Sequence, residues 1–493
     1  MSDHILVIDE GTTSTRAIAF DRSSHQVAVV QEEVALAFPA DGWVEQDGQE
    51  IWDRTESVAR RVVDEVGGVD QIAAIGITNQ RETTLVWDRE TGKPIAPAIV
   101  WQDRRTAPIC ETLKAANHEK AVQAETGLLL DPYFSGTKIG WLLDNVDGAR
   151  ARAEAGKLAF GTIDSWLIWK LTGGAVHATD VTNASRTLLY PLKAGARSWS
   201  AAMLDLFNIP PSMLPGVQPS ATIYGHSVPE VFGKPLPILS AIGDQQAALV
   251  GQGAMAPGQA KITYGTGAFL VANTGNTRPD SNNRLLGTIG YEIDDGTSAY
   301  ALEGSIFNAG TVVKWLRDEL GLISDAAESE AKAAGLADTG GVYMVPAFTG
   351  LGAPHWDADA RGVISGLTRG TRAEHIVRAG LEAAAYQTLD LLDAFAADGA
   401  AVETLKIDGG MAANDWLMQF IADICDCAVE RPDYPEMTAL GAAALAAMQL
   451  RWTTPEAWGT REIAGRRFEP TMTASVRDGL IAGWRDALAR AKS

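Results

Sequence analysis

No stretch of this 493-residue chain is apolar for long enough to cross a bilayer. The longest run of small apolar residues, Ala439 to Leu450, falls short of the ~20 that a spanning helix needs. Cysteine is nearly missing: Cys110, Cys425 and Cys427 build no disulfide framework. Cys425 and Cys427 sit in an apolar helical pattern, where core thiols fit better than a metal pair. Positive charge is also in deficit. Lysine and arginine number 41 against 62 acids, a net charge of −21, which argues against nucleic acid or an anionic membrane as the main partner but still permits a locally positive pocket. No basic, apolar leader precedes the strand that starts at Ile5, so a reducing cytoplasm is the expected setting. Neither GxxxxGK(S/T) nor the HRD and DFG sets of protein kinases occur, so any phosphate chemistry runs on another architecture.

What is present is an ordinary globular composition, 46% hydrophobic and 21% charged, in a chain too long for one core. The stretch ILVIDEGTTSTRAIAF (Ile5 to Phe20) predicts a hairpin of two apolar strands. Its turn offers Gly11, the hydroxyls of Thr12, Thr13, Ser14 and Thr15, the cation Arg16, and the strand-end acid Asp9. That inventory suits a phosphate chain with its metal, although a favourable polar turn would look similar. After a flexible GQGAMAPG segment (Gly251 to Gly258), KITYGTGAFLVANT repeats the pattern of apolar run, small-residue turn and apolar run. Two such hairpins predict two similar α/β domains, residues 1–250 and 251–493, facing one another. Between them, Ser23 to Val34 is expected to form a strand pair, and Pro191 to Pro237 mostly loops with short helices. Further on, a long glycine-rich loop (FTGLGAPHWDADARG) precedes a helix over Ala373 to Ala397, capped by Thr371 and Glu374. The strand TLKID then meets Gly409 and Gly410 with a helix starting near Asn414, a corner where nucleotide could lie against backbone.

Phosphoryl transfer asks for positioning, charge neutralisation and one acid near the attacking hydroxyl. Asp9, beside the Thr-rich turn, is placed to support Mg²⁺. Asp244, flanked by Gly243, Gln245 and Gln246, is assigned as the base and as a second metal acid, although an acid before QQAALV could simply cap a helix. Arg81 and Glu82 pair a donor-only guanidinium with an acceptor-only carboxylate, which matches a polyol's hydroxyls. Both reach one ligand only if the backbone turns at NQRE, since strand neighbours face opposite ways. A surface ion pair is the plainer reading.

Taken together, ILVIDEGTTSTR, GITNQRETTLVWD, IVWQDRRT, FSGTKIGWLLDN, FGTIDSWLIWKLTGG, AIGDQQAALVGQ, TYGTGAFL and DGGMAANDWLMQF resemble the FGGY carbohydrate kinase family, and within it the members that phosphorylate glycerol. The resemblance runs from about Ile5 to Leu450. It implies two ribonuclease H-like, actin-like ATPase domains flanking a catalytic cleft, with transfer of phosphate from ATP to glycerol, giving sn-glycerol 3-phosphate. Carried over by motif, Thr12, Thr13, Ser14, Arg16, Thr266, Gly310, Lys314, Gly410 and Asn414 correspond to nucleotide contacts. Arg81, Glu82, Tyr133, Asp244 and Gln245 correspond to glycerol contacts, with Trp101 and Phe269 as an apolar wall. Mg²⁺, a cytoplasmic location and a homo-oligomer (dimer or tetramer) are further implied, with no nucleic acid and no membrane insertion. Three departures stand out. Lys314 replaces a common Gln, Glu10 replaces a common Gln, and Val228 to Pro237 (VPEVFGKPLP) lacks both the Arg-bearing loop of fructose bisphosphate inhibition and the His-bearing loop that is phosphorylated. Neither regulation is therefore expected. A kinase for another polyol or sugar, or an ATPase whose hinge drives binding, would share the hairpins. The ATPase would not need Arg81, Glu82, Tyr133 and a spare acid at 244.

Overall fold

The computed structural model describes residues 3–357 and 359–492; within the glycine-rich loop before the long helix, Ala358 lies outside them. Two mixed sheets form the frame. The first contains β1 (His4–Glu10), β2 (Ser14–Asp21), β3 (Gln26–Glu33), β4 (Ile72–Asn79), β5 (Ala221–His226) and β6 (Pro237–Gly243), in the order β5-β6-β4-β1-β2-β3. The second contains β7 (Gln259–Tyr264), β8 (Ala268–Gly275), β9 (Leu286–Glu292), β10 (Ser298–Ile306), β11 (Thr404–Asp408), β12 (Ala428–Pro432) and β13 (Gly465–Phe468), in the order β9-β10-β8-β7-β11-β12-β13. Each sheet has the same five-strand core. An opening antiparallel hairpin gains a third antiparallel strand on one side (β1-β2-β3; β7-β8-β10), and two parallel strands on the other (β4, β6; β11, β12). This is the duplicated ribonuclease H-like plan that the resemblance implies.

The helices that matter here are α1 (Gly48–Glu65), α2 (Asp244–Gly251), α3 (Gly310–Asp318), α4 (Ala373–Ala397), α5 (Asp415–Cys425) and α6 (Met437–Gln449). β1 reads as an unbroken apolar run because helices cover both its faces. Leu6, Ile8, Ala17 and Ala19 pack with Ile51, Val58 and Val62 of α1. Ile5, Val7, Ile18 and Phe20 pack on the opposite face with Leu440, Ala443 and Ala447 of α6. A helix from the second half of the sequence thus roofs the first sheet. It crosses α2 at near-contact of the two backbones: a Cβ on Gly441 would lie 1.8 Å from the Ala247 carbonyl oxygen, and one on Gly251 1.9 Å from that of Met437.

Several local expectations shift. Ser23 to Val34 gives the single strand β3 after a turn at Ser24 (φ 66°), because β2 already supplies its partner. The supposed loop region before Pro237 contributes the edge strand β5. The cap of α4 falls one residue later, where the Arg372 N–H donates to His375 Nδ1 (3.0 Å), while Thr371 Oγ1 accepts from the Thr368 N–H. Among the described residues no helix is long and apolar enough to cross a membrane.

Candidate active site

The β1–β2 turn is closed by the Gly11 N–H donating to the Ser14 carbonyl (2.9 Å). Asp9 and Arg16 are partners across the strands; Arg16 donates Nη2 to Asp9 (2.7 Å) and Nη1 to Glu436, just before α6. Burial pushes the Asp9 carboxyl up to about 6; Arg16 opposes this, and Glu436 and Asp244 add to it. Asp9 and Asp244 therefore lie in each other's field, as two acids around one cation would. Thr12 accepts at its carbonyl from Gln46 Nε2 (2.8 Å) and at Oγ1 from Trp101 Nε1 (2.9 Å).

Next to this hairpin, Glu10 is fully buried; Thr55 donates to its Oε2 (3.0 Å). Burial pushes Glu10 up to about 8. At neutral pH it is an uncharged acid, close in chemistry to the glutamine it replaces. Its raised pKa stabilises the fold fully below the ordinary glutamate range, and that contribution is lost as pH rises through about 8. Glu10→Gln should therefore gain stability relative to the parent between pH 5 and 8, by no more than ~1.4 kcal/mol per pH unit. Urea unfolding at both pH values measures this, and a gap that does not change with pH would refute it.

The backbone does turn where Arg81 and Glu82 need it: Glu82 has φ 60°, in the left-handed region. Both side chains are buried, 3% and 1% exposed, so the surface-pair reading fails. Arg81 forms an ion pair with Asp244, Nε lying 3.1 Å from Oδ1, and donates Nη1 to Gln246 (3.2 Å) and both Nη atoms to Glu303. Burial raises Glu303, but Arg186 and Arg81 outweigh it and hold it at about 2. Arg186 donates Nε to Glu82 Oε1 (2.6 Å) and Nη2 to Glu303 Oε1 (3.0 Å). Against this ionic cluster stand the rings. Trp101 lies 5.7 Å from Tyr133 and 6.2 Å from Phe269, edge to face in both cases. Burial and Glu82 push the Tyr133 hydroxyl up, so it stays a proton donor.

Asp244 opens α2 directly after β6, with Gly243 as the N-cap. Its Oδ1 accepts from the Gln245 N–H (2.7 Å) and faces Arg81 Nε in an ion pair, and its side chain is 32% exposed. Oδ2 carries no hydrogen bond among the described residues. The helix-capping reading is thus partly true, and a free oxygen remains. Gln245 accepts from Lys261 on β7, whose ammonium burial pulls down to about 8 against Asp408 and Asp244.

In the second half, the Thr266 carbonyl accepts from the N–H groups of Ala309 and Thr311, anchoring the β7–β8 turn at the start of α3. Gly310 begins that helix, and Lys314 stands one turn on, on the same face. Gly409 (φ 93°) passes so close to Tyr264 that a Cβ would sit 2.4 Å from its carbonyl oxygen, whereas a Cβ on Gly410 would meet nothing within 4 Å. Gly409 is thus required by the fold, and Gly410 leaves an open backbone face. Asn414 caps α5, its Oδ1 accepting from the Leu417 N–H (2.8 Å). Thr12 and Thr13 form the turn, with Thr13 exposed, and Ser14 is the first residue of β2.

Sequence reasoning missed Arg186, Glu303 and Lys261. Glu303, an acid amid the apolar run of β10 (SAYALEGSI), was the readable signal.

Models of the N-terminal and C-terminal domains of the FGGY family of carbohydrate kinases match residues 4–251 and 260–450, and the chain belongs to that family. It is similar over its whole length to glycerol kinases. The one from Rhodospirillum centenum is 56% identical over 99% of this chain and 98% of its own, and that of Rhodospirillum rubrum 54% over 99% of both. The crystal structure of Plasmodium falciparum glycerol kinase with ADP superposes with a TM-score of 0.93 at 37% identity, covering 99% of this chain and 98% of that one. Gluconate kinase from Lactobacillus acidophilus (TM-score 0.88, 22% identity) shares the fold.

Proposed function

We propose that the protein phosphorylates glycerol at the expense of ATP, giving sn-glycerol 3-phosphate. One observation carries the reading: Trp101 serves two sites at once. Its ring meets Tyr133 and Phe269, while its Nε1 donates to Thr12 in the phosphate hairpin. A small ligand held against that wall, with Arg81 and Glu82 on its hydroxyls, lies beside the ATP phosphates. The full-length similarity to glycerol kinases supports glycerol as that ligand.

Within this reading, Thr12, Thr13, Ser14, Arg16 and Thr266 hold phosphates from the two hairpins, and Gly310, Lys314, Gly410 and Asn414 meet the rest of the nucleotide. Asp244 Oδ2 takes the proton from the attacking hydroxyl as the bond to phosphorus forms, and Gln245 orients that hydroxyl. Among the described residues no three His, Cys, Asp or Glu side chains are grouped to hold a metal alone. Asp9, its carboxyl raised by burial and with Asp244 in its field, fits Mg²⁺ completed by phosphate oxygens and water. Bound there, the ion would neutralise charge on the phosphates. A cytoplasmic location and self-association belong to the same reading.

The test is ADP release from Mg·ATP with and without glycerol. Strong stimulation by glycerol is expected. Stimulation by a pentitol or pentose alone would point to another sugar kinase, and turnover independent of any polyol to an ATPase.

A further inference from the structure

The ion cluster behind the polyol wall contains two residues that no step of the proposed reaction uses, Glu303 and Arg186. Arg186 has no exposed surface, and its place is set from several sides. Its guanidinium lies over the rings of Tyr133 (5.5 Å) and Phe134 (5.2 Å) and donates Nη2 to Glu303, which Arg81 grips with both Nη atoms. From that fixed position Nε reaches Glu82 Oε1 at 2.6 Å. The other end of Glu82 is fixed as well. Its carbonyl accepts from Ser135 Oγ and Thr84 Oγ1, both at 3.0 Å, and its left-handed backbone aims the side chain. Two buried atoms of the cluster remain without a hydrogen-bond partner among the described residues, Glu82 Oε2 and Arg186 Nη1. A buried carboxylate oxygen left unpaired is destabilising, and a substrate hydroxyl removes that cost on binding.

We propose that Arg186 is the positioning residue of the polyol site: its fork holds Glu82 by Oε1 and so presents Oε2 to a substrate hydroxyl. The inference rests on the glycerol reading. An arginine is needed because one planar group must serve Glu82 and Glu303 from two different N–H edges, which a lysine's single ammonium does not reproduce. Arg186 touches no substrate atom. It acts on affinity through Glu82, with Glu303 joining both arginines to the second half of the chain.

The experiment is a double-mutant cycle on glycerol kinetics with Arg186→Lys and Glu82→Gln, a charge-keeping and a shape-keeping change. Arg186→Lys should raise the glycerol KM about 10-fold, the equivalent of one hydrogen bond to a charged group, with kcat and the KM for ATP within ~3-fold. In the Glu82→Gln background the same change should move KM by less than ~2-fold, because the group it positions is already altered. Additive effects, or losses spread over kcat and both KM values, would mark Arg186 as merely structural and overturn the proposal. A glycerol complex of the unmodified protein gives an answer that does not depend on how the variants fold. A hydroxyl is expected on Oε2 with Oε1 still on Arg186, and a hydroxyl bound to Arg186 itself refutes the assignment. Wild-type turnover without glycerol stimulation would instead remove the underlying reading, so the two failures are separable.

Discussion

Asp244→Asn should lower kcat for glycerol phosphorylation by roughly 10²–10⁴, the range spanned by loss of a positioned general base. The amide keeps the size of the carboxylate and can still accept from the Gln245 N–H through one oxygen, which stays beside Arg81 Nε as in the native side chain. Where Oδ2 stood there is now a donor, which cannot receive the proton of the attacking hydroxyl. An alcohol is too weak an acid to ionise beforehand, so the barrier rises at the chemical step, and the glycerol KM should move far less than kcat. Single-turnover measurements with saturating ATP and glycerol isolate that step. A kcat within ~10-fold of the parent would remove Asp244 as base and leave it the role of helix start.

Glu82→Ala should raise the glycerol KM by about 10- to 100-fold, since a hydroxyl loses a charged partner worth roughly 1.5–3 kcal/mol. The site also loses the anion that Arg186 holds at 2.6 Å, leaving a buried guanidinium with Glu303 alone. Some loss of thermal stability should accompany the kinetic effect, because unpairing a buried charge is costly. A thermal melt beside the kinetics separates the two. An unchanged KM would show that Glu82 does not meet the polyol, whatever happens to the melting temperature.

The parts of the site that were legible in the sequence are those written locally. The hairpin residues Asp9 to Arg16 are contiguous, so their combined inventory of glycine, hydroxyls, cation and acid can be read from one stretch. Arg81 and Glu82 are adjacent, and the polar NQRE stretch permitted the turn that Glu82 makes at φ 60°. Arg186 and Glu303 were not legible because their meaning is long-range: Arg186 meets Glu82 across 104 positions, and Glu303 meets Arg81 across 222. Nothing local distinguishes Arg186, in TNASRT, from a surface arginine. For the fold, the twin hairpins revealed the duplication. The edge strand β5, inside a proline- and glycine-rich region, did not show, since edge strands tolerate the residues that read as loop. The role of α6 was hidden for a similar reason. A helix of alanines, glycine and leucines is apolar on most sides, so its pattern names no partner.

That helix also bears on how the chain comes into being. The strands of the first sheet are complete at Gly243, yet the face carrying Ile5, Val7, Ile18, Phe20, Leu239 and Ile242 is covered by a helix that starts only at Met437. During synthesis the early half emerges with a hydrophobic surface that must wait for most of the later half. The two halves therefore cannot mature one after the other like beads on a string. A fragment ending at residue 250 would carry Arg81 and Glu82 on a sheet with one bare side, prone to associate with itself before it could bind anything.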